Sequence, residues 1–164
     1  MWSISLRHPW MLSLIFCTAG WLHAQQPASG LPPLNQSVLG YVQTVMDQQV
    51  GSGECWDLAD QALNRVGASW DGAFAFGQPV DGQQALPGDI IQFKGVKLTY
   101  EKDGYTYVET MKQHTAIITE VISPGVFRMA HQNTASWGRK VGESELDLGT
   151  VTKGKVMIYR PQKG

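Results

Sequence analysis

The sequence predicts an α+β domain in which N-terminal helices pack on one side of an antiparallel sheet, and three observations carry that expectation. Early in the chain, apolar residues recur three and four apart, the period of a helix with one buried face. Beyond Pro87-Gly88-Asp89, short β-rich runs alternate with Gly, Pro and Asp turns, the pattern of strands. Helices come first and strands after, which segregates the helices to one side of the sheet.

The first stretch is a leader rather than part of the domain. Arg7 and His8 precede an apolar run from Met11 to Leu22, and His23-Ala24 precede Gln25, the layout of a secretory signal peptide over residues 1–24. The run is too short for a membrane span, and no later stretch has spanning length. Cys17 follows the bulky Phe16, where a lipoprotein signal needs a small residue. A secreted or periplasmic location is therefore expected, with no stable membrane insertion after cleavage near Ala24. Residues 25–34, rich in Gln, Pro, Ser and Gly, read as a flexible tether, and 35–164 as one domain, expected to be a monomer.

Within that domain Asn35 or Ser37 is expected to cap a helix with Val38, Val42, Val45 and Met46 on one face, ending near Val50. Gly51-Ser52-Gly53-Glu54 then delivers Cys55 to a second helix, capped by Ser52 or Gly53, with Leu58, Ala59, Ala62, Leu63 and Val66 inward and Gly67 as its stop. From Ala68 to Leu86 the Gly, Pro and Asp-Gly content predicts an irregular loop, with Trp70, Phe74 and Phe76 plugging the edge of the core. Strands are expected over 90–93, 97–100, 105–111, 114–122, 126–131 and 155–160, with a hairpin across Lys102-Asp103-Gly104.

Charge excludes some functions. Arg7 leaves with the leader, so 13 − 1 = 12 Lys+Arg face 14 Asp+Glu, a formal charge of −2. Nothing in that balance suggests nucleic acid as a partner. Cysteine usage is more informative, because Cys17 also leaves and Cys55 becomes the only thiol of an exported chain. A lone thiol outside the cytosol needs burial or a use. Placed in the first turn of a helix, Cys55 would feel unpaired N–H groups and the helix dipole, which favour the nucleophilic thiolate. His114 and His131 are the only histidines after the leader. If their strands pair through Ser123-Pro124-Gly125, both imidazoles stand at one end of the sheet. A thiol, an imidazole to move its proton and a third polar group to orient that imidazole make a cysteine hydrolase.

Four strings make the sequence resemble the CHAP family of cysteine, histidine-dependent amidohydrolases and peptidases and its NlpC-type relatives among papain-like enzymes. They are Gly53-Glu54-Cys55, Leu86 to Phe93, His114 to Val121, and Ala130-His131-Gln132-Asn133. The resemblance implies a papain-like core, Cys55 as helix-borne nucleophile, His114 as general base and His131 as the orienting residue. CHAP members carry an asparagine two positions after the third residue, which here is Asn133. It also implies amide hydrolysis through an acyl-enzyme, with peptidoglycan peptides as substrate and no cofactor. The backbone N–H of Cys55 would be the first oxyanion donor.

Two rivals come from other classes. One is a non-catalytic exported binding module with a degraded site, favoured by Glu54 beside the thiol, with Trp56, Trp70 and Trp137 as a stacking surface. The other is a zinc site on Cys55, His114 and His131. Its spacing is long and irregular, and no paired-ligand motif is present, so no metal is expected.

Overall fold

Helix α1 runs Pro33–Val45 and helix α2 Cys55–Arg65, in a computed structural model that describes residues 30–164. The expected leader, and the tether as far as residue 29, lie outside the described residues. α1 begins before the expected Asn35 or Ser37 cap. Pro33 opens it, where a missing N–H costs nothing, and Asn35 turns inward, its Nδ2 donating to Pro87 O (2.9 Å) and Asp89 Oδ1 (2.8 Å). The helix also ends sooner than expected, because Met46 is extended and Asp47 takes a left-handed backbone at φ 61°. In α2 the residues Leu58, Ala59, Ala62 and Leu63 are buried, as their spacing predicts, and Gly67 follows at φ 66°.

The strands are β1 (Ala68–Ser69), β2 (Gln78–Val80), β3 (Ile90–Lys102), β4 (Tyr105–Ser123), β5 (Val126–His131), β6 (Gly142–Asp147), β7 (Val151–Arg160) and β8 (Gln162–Lys163). Six form an antiparallel sheet in the order β2-β7-β3-β4-β5-β6, while β1 and β8 pair separately. Strands expected as pairs of short runs are continuous: 90–93 and 97–100 both belong to β3, and 105–111 and 114–122 to β4. Asp103 and Gly104 turn that hairpin at φ 53° and 78°, the two positive angles of a type I′ turn. β6 is an addition. Its Gly-Glu-Ser-Glu-Leu-Asp has little apolar signal because it is an edge strand, yet it pairs with β5 throughout.

Both faces of the sheet are covered at its centre. Val38, Val42, Leu58 and Leu63 of the helices pack on Ile90 and Ile117, and Phe76 and Trp70 close that layer. Ile91, Phe93, Ile118, Phe127, Leu146 and Ile158 form a second core on the other face. Residues 90–93 are therefore buried without alternation, as a strand covered on both sides requires.

One charged group is wholly inside. Asp89 accepts from Asn35 Nδ2, from the Leu86 N–H (2.8 Å) and from Arg160, Nε to Oδ1 at 3.1 Å and Nη2 to Oδ2 at 2.9 Å. Gly88 lets α1 come this close: a Cβ there would stand 2.6 Å from Asn35 O. Asp89→Ala strands the Arg160 guanidinium and the Asn35 amide, so a loss of about 3–5 kcal/mol is expected. Urea unfolding checks it, and a midpoint matching the unaltered protein would refute it.

Candidate active site

Cys55 is the first residue of α2, and Glu54 rather than Ser52 or Gly53 occupies the cap position. The reason is Asp57, whose Oδ2 accepts from the N–H groups of Ser52 (2.8 Å) and Glu54 (3.2 Å) and from Ser52 Oγ (2.7 Å). An acid at the third helical position thus gathers the turn before the thiol. The turn is also held from the far side of the sequence. Gln132, fully buried, accepts from the Val50 N–H (3.0 Å) and donates to Val50 O (2.9 Å) and Glu54 O (2.7 Å). Gln48 and Val141 exchange a further backbone bond at 2.8 Å.

The two histidines meet. His114 Nε2 lies 2.9 Å from His131 Nδ1, both rings are buried, and His131 Nε2 lies 2.8 Å from Ser144 Oγ. β5 pairs with β4 only from Ile117 outward, so His131 finishes beside the start of the buried part of β4. The backbone N–H of Thr115, next to His114, faces the Cys55 sulfur, as do those of Trp56 and Cys55. Thiol and imidazoles therefore share one end of the sheet. With Nε2 of His114 facing His131, Nδ1 is its remaining ring nitrogen. Were Nδ1 to accept a proton, His114 Nε2 would donate to His131 Nδ1 and His131 Nε2 to Ser144 Oγ.

Asn133 goes elsewhere. Its backbone is left-handed (φ 60°) and its Nδ2 donates to Glu54 Oε2 at 2.6 Å, and among the described residues its side chain makes no hydrogen bond to either ring. Arg139 completes this outer group, with Nη1 on Ser52 O (2.8 Å) and Nη2 3.5 Å from Glu54 Oε1. Glu54 is thus held by Asn133 and Arg139 beside the thiol. Trp56 and Trp70 pack together, ring centroids 5.6 Å apart, and Trp70 stacks on Phe76. Trp137 packs over Gly142 instead and donates to Glu143 O at 3.0 Å.

Electrostatics overturn one expectation. Burial pushes the Cys55 thiol above its ordinary value, Glu54 adds to the rise, and the three backbone amides do not cancel them. Burial also lowers His114 and His131 to about 4, His131 further through repulsion by a charged His114. At neutral pH the resting site is a neutral thiol beside two neutral imidazoles, where helix-end placement alone suggested a thiolate. The histidines spend their facing nitrogens on each other rather than on a common ion. Among the described residues, no group of three or more His, Cys, Asp or Glu is arranged to hold a metal.

A match to known proteins supports the architecture. Residues 34–163 match the AIM3/BBC1 cysteine proteinase-fold domain. The chain belongs to that family. A curated relative, Altered inheritance of mitochondria protein 3 of Debaryomyces hansenii, is 28% identical over 144 residues, covering 76% of this chain and 15% of the relative. The chain thus spans less than a fifth of that protein's length. Among solved structures, Ly7917 with the hydrolyzing product of MDP is 14% identical, covering 77% of this chain and 62% of that chain at TM-score 0.49. Ly7917 alone is 16% identical at TM-score 0.43, covering 76% and 62%. Neither likeness bears on the chemistry. The family match gives a cysteine proteinase fold, a coarser statement than the CHAP-type resemblance.

Sequence reasoning missed Ser144 and Gln132. Gln132 lies inside a string already singled out, and a buried amide directly after a candidate site histidine is a readable signal. Ser144 had none, because its strand was not visible.

The lowered imidazoles make stability depend on pH. Unfolded, each histidine returns to about 6.5, so the unfolded chain binds more protons between that value and about 4. Stability is fully present above pH 6.5 and falls as pH drops toward 4, by about 2 kcal/mol per imidazole between pH 6.5 and 4.5. Denaturant unfolding at pH 7 and 4.5, with His131→Gln showing the smaller loss, checks this. Equal stability at both pH values would contradict it.

Proposed function

We propose that the chain is a cysteine amidohydrolase or peptidase that cleaves a peptide amide through an acyl-enzyme on Cys55. The observation that supports it best is the ordered set of Cys55, His114, His131 and Ser144 at one end of the sheet in a cysteine proteinase-fold domain. As the sulfur bonds to the scissile carbonyl carbon, His114 Nδ1 takes the thiol proton and His131 Nδ1 steadies the resulting imidazolium by accepting from its Nε2–H. The proton passes to the leaving amine as the C–N bond breaks. Water then attacks the thioester, His114 takes its proton, and the thiol is regenerated with a carboxylic acid released. The helix-start N–H of Cys55 is the donor assigned to the oxyanion in this reading.

The CHAP-type resemblance and the expected leader favour an exported enzyme and a peptidoglycan peptide as substrate. The raised thiol and the adjacent Glu54 favour a second reading, a binding module whose site no longer turns over. Alkylation of Cys55 separates the two when read with hydrolysis of wall peptides. A slow, ordinary thiol titration that His114→Ala leaves unchanged, without hydrolysis, selects the module.

For the enzyme reading, Cys55→Ala abolishes hydrolysis, and retained turnover in that variant would end the proposal. Because burial holds the imidazoles near 4, the acid limb of kcat/KM in a pH–rate profile is expected near pH 4 instead of the roughly 6.5 of a free imidazole. Ser144→Ala frees the His131 tautomer and is expected to lower kcat about 10- to 100-fold with little change in KM. A matching fall in thermal stability with unchanged kcat would show a structural role only.

A further inference from the structure

Lys94 on β3 stands directly opposite Lys155 on β7, and Lys97 directly opposite Lys153. Like charges facing each other across strands destabilise a sheet, and here two such pairs follow one another. All four side chains are exposed. Among the described residues none of them joins an ion pair. The carboxylates toward the hairpin tip are taken up locally, Glu109 by Tyr100 Oη (2.6 Å) and Glu101 by Thr106 Oγ1 (2.6 Å).

The four lysines share a face. Phe93, Val96, Leu98 and Val156 pack into the second core, so Lys94, Lys97 and Lys155 turn to the other side, and Lys153 follows its partner Lys97. That is the face on which α2 lies. Thr115, whose N–H faces the Cys55 sulfur, shares a cross-strand row with Gln92 and Met157. The next row is Gln113, Lys94 and Lys155, and the Thr110, Lys97 and Lys153 row follows. Rows on one face are roughly 7 Å apart and strands roughly 5 Å apart. The ammonium groups therefore begin roughly 10 Å from the thiol, within reach of three to five residues of extended peptide.

We propose that this patch binds an acidic segment of the peptide presented to Cys55, with Asp or Glu side chains bridging the opposed lysines. A carboxylate between two ammonium groups removes the repulsion that the empty sheet carries, so occupancy relieves a cost built into the fold. The inference rests on reading the neighbouring site as one that takes a peptide.

Fluorescence anisotropy on the full chain carrying Cys55→Ala tests it. The probes are a labelled glutamate-rich peptide, the same peptide with glutamines, and phosphatidylserine vesicles. The glutamate peptide is expected to bind about tenfold or more tighter than its glutamine counterpart, with the advantage shrinking as salt rises. Lys94→Gln/Lys155→Gln, and separately Lys97→Gln/Lys153→Gln, should remove that advantage at an unchanged melting midpoint, while Lys102→Gln/Lys163→Gln keeps it. Equal binding of both peptides, equal loss in the control variant, or patch-dependent binding of vesicles without binding of the peptide would overturn the proposal. The readout involves no hydrolysis. Absence of amidase activity would end the enzyme reading and leave this result standing, and the converse holds.

Discussion

Gln132 holds the candidate site together. Its buried amide spans from the end of β5 to the turn before α2, with one acceptor bond and two donor bonds on backbone groups. Such an amide is costly to leave unpaired, on the order of 1–3 kcal/mol per group, so the two elements stay in contact. Because His131 is its chain neighbour and Cys55 follows the turn it grips, this side chain ties the segment carrying His131 to the segment carrying Cys55. Asp57, half-buried, closes the turn locally, and the exposed Asn133 and Arg139 brace Glu54 from outside and contribute less.

Burial then decides the protonation of what Gln132 brings together. The helix start offers amides that favour a thiolate, and Thr115 adds another, yet desolvation outweighs them and Glu54 works in the same direction as desolvation. Desolvation also strips the imidazoles of affinity for a proton. A neutral thiol and a neutral base suit each other, since neither charge has to be buried at rest. In the proposed reaction charge would appear only as the sulfur attacks, and the neighbours of His114 offer it hydrogen bonds through His131 and Ser144 rather than a counter-charge.

Much of this was legible in the residues. The period of three and four found α2 and its inward face, and the turn chemistry found the β3–β4 hairpin. Cys55, His114 and His131 stand out because the domain has so few of either type, and the structure brings the histidines together as the pairing across Ser123-Pro124-Gly125 requires. Other features depend on tertiary contacts that no local pattern records. Asn35 resembles a cap until Asp89 claims it, and Asn133 resembles an orienting residue until Glu54 claims it. β6 hid because an edge strand needs few apolar residues. The thiol's raised pKa was hidden for a further reason: helix-end position can be read from sequence, whereas burial cannot.

The lysine rows extend this logic from the site to its surroundings. A unit charge roughly 10 Å away through water contributes only about 0.4 kcal/mol to a thiolate before salt screening. Such a contribution is small, and desolvation is the largest influence on the Cys55 thiol. The four lysines therefore do not serve as activators. Their geometry instead matches recognition: opposed pairs on an open face, one and two rows beyond the Thr115 row, with Glu101 and Glu109 toward the hairpin tip already engaged. A carboxylate seated between each pair halves its charge and so weakens an already small field at the thiol, which makes binding of an acidic segment compatible with the neutral resting state of Cys55 and His114.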